Sequence, residues 1–326
     1  MKSLYILLTV ALLLAVAVLL PPLPFPSKQY NYFLMVDISR SMNVQDYQDE
    51  NGQPISRLDK VKAEMLKVIQ QLPCGSHVGI GVFAERMPTM IHSPIEVCID
   101  YPELKQSINH LDWRMAWIAD SKIIQGLYNT LKLVRTVSLA DSTLVFFTDG
   151  QEAPPMNMRY APSFDDVQIE NNGEKLTAIK GIIIGTGQKS LSRIPKYDEE
   201  GQQIGFYTAD DVPHRSTFGE PADPSMIEGY VPRNAPWGNK NKGGTEHLSS
   251  VKDEYLKVLA DKTGLKYHHL QSSPEFLKAL TDEDFANSHI QLTDLSYIPA
   301  TLALTLLLIV YLPNKIKNRK YLRLVE

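Results

Sequence analysis

Between residues 30 and 285, short apolar runs alternate with stretches in which apolar positions recur every third or fourth residue. Tyr32-Phe-Leu-Met-Val36, Val78-Gly-Ile-Gly-Val-Phe83, Thr143-Leu-Val-Phe-Phe147 and Ala178 to Ile184 read as buried strands, and Met87 to Ile91 as a short edge strand. Leu58, Val61, Met65, Val68, Ile69 and Leu72 fall on one face of a helix that Ser56 caps and that Pro73 and Gly75 stop. Residues 101–111 and 122–137 are two further helices, the second carrying Ile123, Ile124, Leu127, Leu131 and Val134 on one face. Val251 to Lys262 predicts a helix, Leu265 to Leu270 a strand, and Ser273-Pro-Glu-Phe a last helix with Pro274 in its first turn. Strands alternating with helices at this spacing predict a doubly wound α/β fold with a mostly parallel sheet. Residues 186 to about 248 break the pattern with many prolines and glycines and no sustained apolar period. They predict a long insertion within one domain, 30–285, rather than a boundary between two.

The ends differ from this middle. Ser3 to Pro26 is uncharged, and Leu4 to Leu20 is almost wholly aliphatic. Residues 1–27 therefore predict a membrane anchor ended by Pro21 and the prolines after it, or a secretory signal with Ala15-Val16-Ala17 as its cleavage site. After a linker at 286–297, residues 298–312 predict a transmembrane helix; a buried core helix is the alternative. The tail 313–326 carries Lys315, Lys317, Arg319, Lys320 and Arg323, and positive charge stays cytoplasmic, which leaves the middle of the chain outside the cytoplasm. In such an oxidising compartment Cys74 and Cys98 either pair or remain two buried thiols.

Composition narrows the function classes. With 33 basic and 37 acidic side chains and a formal charge of −4, nothing supports a nucleic-acid partner. Two cysteines exclude a four-thiolate zinc ribbon. Gly185-Thr-Gly-Gln-Lys189-Ser190 lacks the glycine that a phosphate loop needs before its lysine, and no G-x-S-x-G elbow occurs. His268 and His269 read as a half-exposed strand pair, Trp113 and Trp117 as core or rim packing, and Trp237 as a candidate partner contact.

Open parallel sheets bind ligands at the C-terminal ends of their strands. The first strand ends in Asp37-Ile-Ser39-Arg-Ser41, and the strand at 143–147 ends in Thr148-Asp149-Gly150. Plain turn and N-cap roles suit these residues. Their hydroxyls and carboxylates are also hard oxygen ligands, suited to Mg²⁺, Mn²⁺ or Ca²⁺.

A strand-terminal D-x-S-x-S followed by a second strand-terminal T-D-G resembles the von Willebrand factor A domain and its metal-ion-dependent adhesion site, over nearly all of 30–280. The resemblance implies a divalent cation, Mg²⁺ first with Ca²⁺ or Mn²⁺ as alternatives. Ser39 and Ser41 would ligate it directly, and Asp37 and Asp149 would act mainly through waters. The family's threonine, from a loop before a helix, has its counterpart in Ser121 of Asp120-Ser121-Lys-Ile-Ile. Asp120 stands where the family has glycine, as an added ligand or only a helix cap. A cation with a vacant position takes an acidic residue from a protein partner, which makes a binding device and not an enzyme. A metal-dependent hydrolase using Asp149 or Asp120 as base, a scaffold that binds through its insertion, and a member that has lost the metal are the other readings.

Within that family, Ile194-Pro-Lys-Tyr-Asp-Glu-Glu-Gly201 and Tyr255-Leu-Lys-Val-Leu-Ala260 with Thr263-Gly264 resemble the bacterial group encoded beside MoxR-type ATPases. Gly205-Phe-Tyr-Thr-Ala-Asp-Asp-Val212 resembles the MxaL-type members of methanol-oxidation clusters. This implies an inner-membrane protein whose domain faces the periplasm and whose partners are a MoxR-type ATPase or methanol dehydrogenase assembly proteins. Its role would be maturation of a periplasmic dehydrogenase such as methanol dehydrogenase, including Ca²⁺ insertion.

Overall fold

The computed structural model describes residues 2–116, 121–153, 161–212 and 245–322, apart from 138, 140, 169, 172, 173, 176, 177, 199 and 210. Residues 29–287 form one compact unit, and residues 1–28 with 288–326 form a second.

The first unit is built on a six-stranded sheet. Its elements are β1 (Asn31–Asp37), α1 (Arg57–Ile69), β2 (His77–Ala84), β3 (Met87–Glu96), α2 (Tyr101–Asn109), α3 (Ile123–Thr136), β4 (Thr143–Thr148) and β5 (Gly181–Gly185). A short hairpin, β6 (Pro195–Tyr197) with β7 (Gln203–Phe206), precedes α4 (Asp253–Thr263), β8 (Lys266–His269) and α5 (Ser273–Leu280). The strand order is β8-β5-β4-β1-β2-β3, parallel throughout except for the antiparallel edge strand β3. The mostly parallel α/β sheet expected from the alternation of patterns is therefore present.

Strand β1 explains the two-faced core. Successive side chains of a strand point to opposite sides. Tyr32, Leu34 and Val36 join Leu58, Val61 and Met65 of α1, Leu104 and Ile108 of α2, and Phe276 of α5. Phe33 and Met35 instead join Leu127 and Leu131 of α3 with Leu256 and Leu259 of α4. A strand covered on both faces has no polar side to declare, which is why its sequence is a continuous apolar run. The glycines of β2 are steric requirements: a Cβ at Gly79 would lie 2.9 Å from Phe33, and one at Gly81 would lie 2.7 Å from Met35.

Two elements depart from expectation. Strand β3 runs on to Glu96 rather than ending at Ile91, pairing with β2 through two register shifts. His92, Ser93 and Pro94 interrupt its apolar run, and an edge strand tolerates proline because one side of its ladder is unpaired. The linker expected at 286–297 contains a strand, Asn287–Thr293, paired with Leu23–Gln29 in a two-stranded ribbon. Both strands of such a ribbon are edges, so Pro24 and Pro26 do not forbid it. In the insertion, Ser192–Arg193 pairs antiparallel with Leu248–Ser249 and the β6–β7 hairpin follows the first of these, whereas residues 213–244, including Trp237, lie outside the described residues.

In the second unit, helices Lys2–Leu19 and Tyr297–Leu322 pack together. Among the described residues no helix is long and apolar enough to cross a membrane. The first has 18 residues, a rise of about 27 Å against a hydrocarbon core of roughly 30 Å. The second has an apolar start, but its final turns carry the basic tail. The transmembrane spans expected at both ends are thus not borne out by these helices.

Cys74 and Cys98 form a disulfide with a Cα–Cα distance of 5.4 Å, tying the loop before β2 to the segment after β3. Replacing both with serine is expected to cost about 3 kcal/mol by the loop-entropy relation. Urea unfolding checks it; an unchanged midpoint would show that the crosslink constrains nothing in the unfolded chain.

Candidate functional site

The chain leaves β1 toward β2 on one side, and β4 toward β5 on the other. The C-terminal ends of β1 and β4 lie next to each other in a parallel pair, so a crevice opens between the loops that follow them. Asp37 closes β1 and is fully buried. Its Oδ1 accepts the Ser39 backbone N–H at 2.8 Å, and its Oδ2 accepts the Thr148 hydroxyl at 2.7 Å. The next four residues, Arg40–Asn43, make one 3₁₀ turn, which brings the Ser39 and Ser41 Oγ atoms to 3.1 Å from each other. Both serines are buried.

Ser121 reaches the same place from a distant part of the sequence. Its backbone N–H donates to Ala153 O at 2.7 Å and its carbonyl accepts from Ala153 at 2.8 Å, while Lys122 N donates to Glu85 O at 2.8 Å. Ser121 is thus pinned between the loops after β2 and β4. Its buried Oγ has no hydrogen-bond partner. Ser39, Ser41 and Ser121 line one cavity of about 110 Å³, together with Gln151 and with Asp211 and Glu246 from the insertion. Asp120 lies outside the described residues.

Asp149 follows Thr148 at the end of β4, and Gly150 turns the chain with φ +79°, where a Cβ would also meet Leu256 at 2.9 Å. Asp149 Oδ1 accepts the Gln151 N–H at 3.0 Å. Its Oδ2 accepts from Arg57 Nη1 at 2.7 Å and from the Ser249 hydroxyl at 2.9 Å. Arg57 is fully buried; its Nη2 also pairs with Asp46 Oδ2 at 2.6 Å, and its Nη1 donates to Ser249 Oγ at 2.6 Å.

The electrostatics separate the two strand-end carboxylates. Burial, and after it the neighbouring Asp149, push the Asp37 carboxyl up to about 7, with the hydrogen bonds from Ser39 and Thr148 only partly offsetting them. Asp37 has no cationic partner among the described residues, whereas Asp149 is paired with Arg57. Burial alone would lower the Arg57 guanidinium, but Asp149 and Asp46 hold it above its ordinary value.

The structure brings Asp37, Ser39, Ser41, Ser121 and Asp149 to one sheet end. Sequence reasoning missed Arg57, Asp46 and Ser249. Arg57 had a signal: it falls in phase with Val61, Met65 and Val68 on the buried face of α1, where an arginine demands a buried partner. Asp46 and Ser249 had none, since they meet Arg57 across 11 and 192 residues.

The donor set suits a hard divalent cation. It offers three convergent hydroxyls, one of them unpartnered, above a buried carboxylate that has no cationic partner among the described residues.

Residues 32–151 match the von Willebrand factor type A domain. That stretch contributes three parallel strands of the sheet, β1, β2 and β4, so the match falls on an α/β fold with a mostly parallel sheet. No curated protein matches the chain in sequence. Among solved structures it is similar to an aerotolerance-related membrane protein from Bacteroides fragilis (17% identity, 77% of this chain and 96% of that one, TM-score 0.47). It is also similar to the conserved hypothetical protein BatB from Bacteroides thetaiotaomicron (16% identity, 77% and 95%, TM-score 0.47) and to an uncharacterized membrane-spanning protein from Vibrio fischeri (16% identity, 76% and 94%, TM-score 0.27).

Proposed function

We propose that this chain is a protein-interaction module whose crevice holds a divalent cation, Mg²⁺ foremost, and captures a partner through an acidic side chain. Ser39, Ser41 and Ser121 would hold the cation; Asp37, which accepts the Ser39 backbone N–H, would fix that turn from beneath, and Asp37 and Asp149 would act on the cation mainly through waters. When bound, the cation supplies a positive centre with a position open to a carboxylate. The observation that carries this reading is the buried, unpartnered Ser121 hydroxyl facing the same cavity as Ser39 and Ser41.

Catalysis is a poorer fit. Asp149, the nearest base candidate, spends both carboxylate oxygens on Gln151, Arg57 and Ser249. Cellular placement is part of the proposal. An inner-membrane tether with the domain in the periplasm rests on the uncharged stretches at both ends, the basic tail and the disulfide. The MxaL-type resemblance suggests a periplasmic dehydrogenase such as methanol dehydrogenase as client, with Ca²⁺ insertion as the task and a MoxR-type ATPase as accessory.

The test is capture of partners from detergent-solubilised membranes by the full chain, with and without EDTA. Wild type is compared with Ser39→Ala combined with Ser41→Ala. The chelator and the double variant should each abolish recovery of the same proteins; identical recovery in all four samples would sink the cation-grip reading.

A further inference from the structure

Arg40 sits between Ser39 and Ser41 and lines two cavities at once. One is the hydroxyl pocket. The other is a groove of about 460 Å³ walled by Trp113, Tyr197 and Tyr207, with Arg114 and Asn43 on its lining. That volume lies in the range of ligand sites. The hairpin β6–β7 builds one wall: the Trp113 and Tyr197 rings stack with centroids 5.3 Å apart, and the Arg40 guanidinium bonds the Tyr207 hydroxyl and lies 5.4 Å from that ring's centroid.

Three features say what such a groove would take. Arg40 is exposed and forms no ion pair among the described residues. Asn43 is 4% exposed, and its Nδ2 is a buried donor without a partner. A buried amide is ordinarily paired, so this one calls for an acceptor. Two cations, Arg40 and Arg114, stand on the lining against one carboxylate, Asp198, whose Oδ1 already accepts the Gln202 N–H at 2.7 Å. Arg114 is held by the exposed Asp112, a pairing that solvent keeps weak. Among the described residues the lining is thus rich in donors and aromatic surface and poor in free acceptors.

We propose that this groove binds an extended acidic segment of a partner protein. Arg40 and the Asn43 amide would donate to its carboxylate and carbonyl oxygens, and Trp113 with Tyr197 would pack its side chains. The inference rests on the cation-grip reading in one respect. The partner's first acidic residue enters the hydroxyl pocket, and the chain then passes over Arg40 into the groove. Rim residues of this kind set which acidic segments are accepted, by difference of affinity rather than by added area.

The experiment uses the full chain in detergent and fluorescent nonapeptides in a glycine–serine background, with one central Asp that stands alone or has a second Asp or a Lys two to four residues away. Binding is read by anisotropy in Mg²⁺ and in EDTA. Wild type should bind the two-acid peptides at least about tenfold more tightly than the one-acid peptide. Asn43→Ala and Trp113→Ala should erase that preference while keeping the Mg²⁺-dependent binding of the one-acid peptide, and Arg40→Glu should reverse it toward peptides with a lysine in the second position. The Asn43→Ala melting temperature should not fall, because the substitution removes an unpaired donor rather than a bond. If the two-acid preference persists unchanged in all three variants, or is absent from wild type, the groove does not read the segment. If the preference survives in EDTA and in Ser39→Ala, the groove stands and the cation-grip reading falls. If no peptide binds under any condition, both fall.

Discussion

Replacing Arg57 with methionine should be among the most costly single changes in the domain, lowering stability by about 3–5 kcal/mol. Its guanidinium is fully buried and joins Asp46, Asp149 and the Ser249 hydroxyl. Methionine matches much of the stem's packing but leaves two carboxylates without counter-charge. One of these, Asp149, lies close enough to Asp37 to raise its pKa. Thermal and urea unfolding in EDTA measure the loss. The site geometry makes a second part of the result specific: millimolar Mg²⁺ or Ca²⁺ should recover more stability in Arg57→Met than it adds to wild type, because Asp149 is then free to face the cation. A loss below about 1 kcal/mol would mean that water reaches the network and solvates it.

The second large effect concerns Asp37 and pH. A carboxyl whose folded pKa is raised favours folding while it is protonated. Its contribution therefore falls as pH rises from the unfolded value near 4 through about 7, and is constant above that. In EDTA, the unfolding free energy of wild type should drop between pH 5 and pH 7.5 relative to Asp37→Asn, by an amount on the order of a few kcal/mol, read by urea unfolding. The comparison removes other groups that titrate in the same window, such as His268, whose pKa burial lowers. A divalent cation, by supplying the missing charge, should flatten the wild-type curve and leave Asp37→Asn unmoved. Parallel curves for the two proteins in EDTA would show that the Asp37 carboxylate is neutralised by something other than a cation.

The legible part of this molecule is the part written in local pattern. The strand-end residues Asp37, Ser39, Ser41 and Asp149 stand out because each follows an apolar run long enough to be a buried strand, and parallel strands deliver their ends to one place. Ser121 could be named only through the resemblance, as the counterpart of the family's threonine in a loop before a helix. The Asp46–Arg57–Asp149–Ser249 network was not legible as a network, since its members meet only through tertiary packing, although Arg57 alone broke the polarity of its helix face. The groove was hidden for a related reason. Tyr197 and Tyr207 come from a segment without periodicity, and nothing in its composition says that a hairpin folds against Trp113.

The short ladder that pairs Ser192 with Ser249 has one more implication. It brings the two ends of the insertion together beside the sheet, so the chain between Arg193 and Leu248 departs and returns at nearly the same point. Such an excursion is modular: evolution or an engineer can lengthen, shorten or graft it while the strands beneath keep their order. Ser249, at its foot, is not free to change, because it also touches Arg57. On the proposed reading, the excursion could then be exchanged to change which partner is captured, while the hydroxyl cluster beside it stays the same.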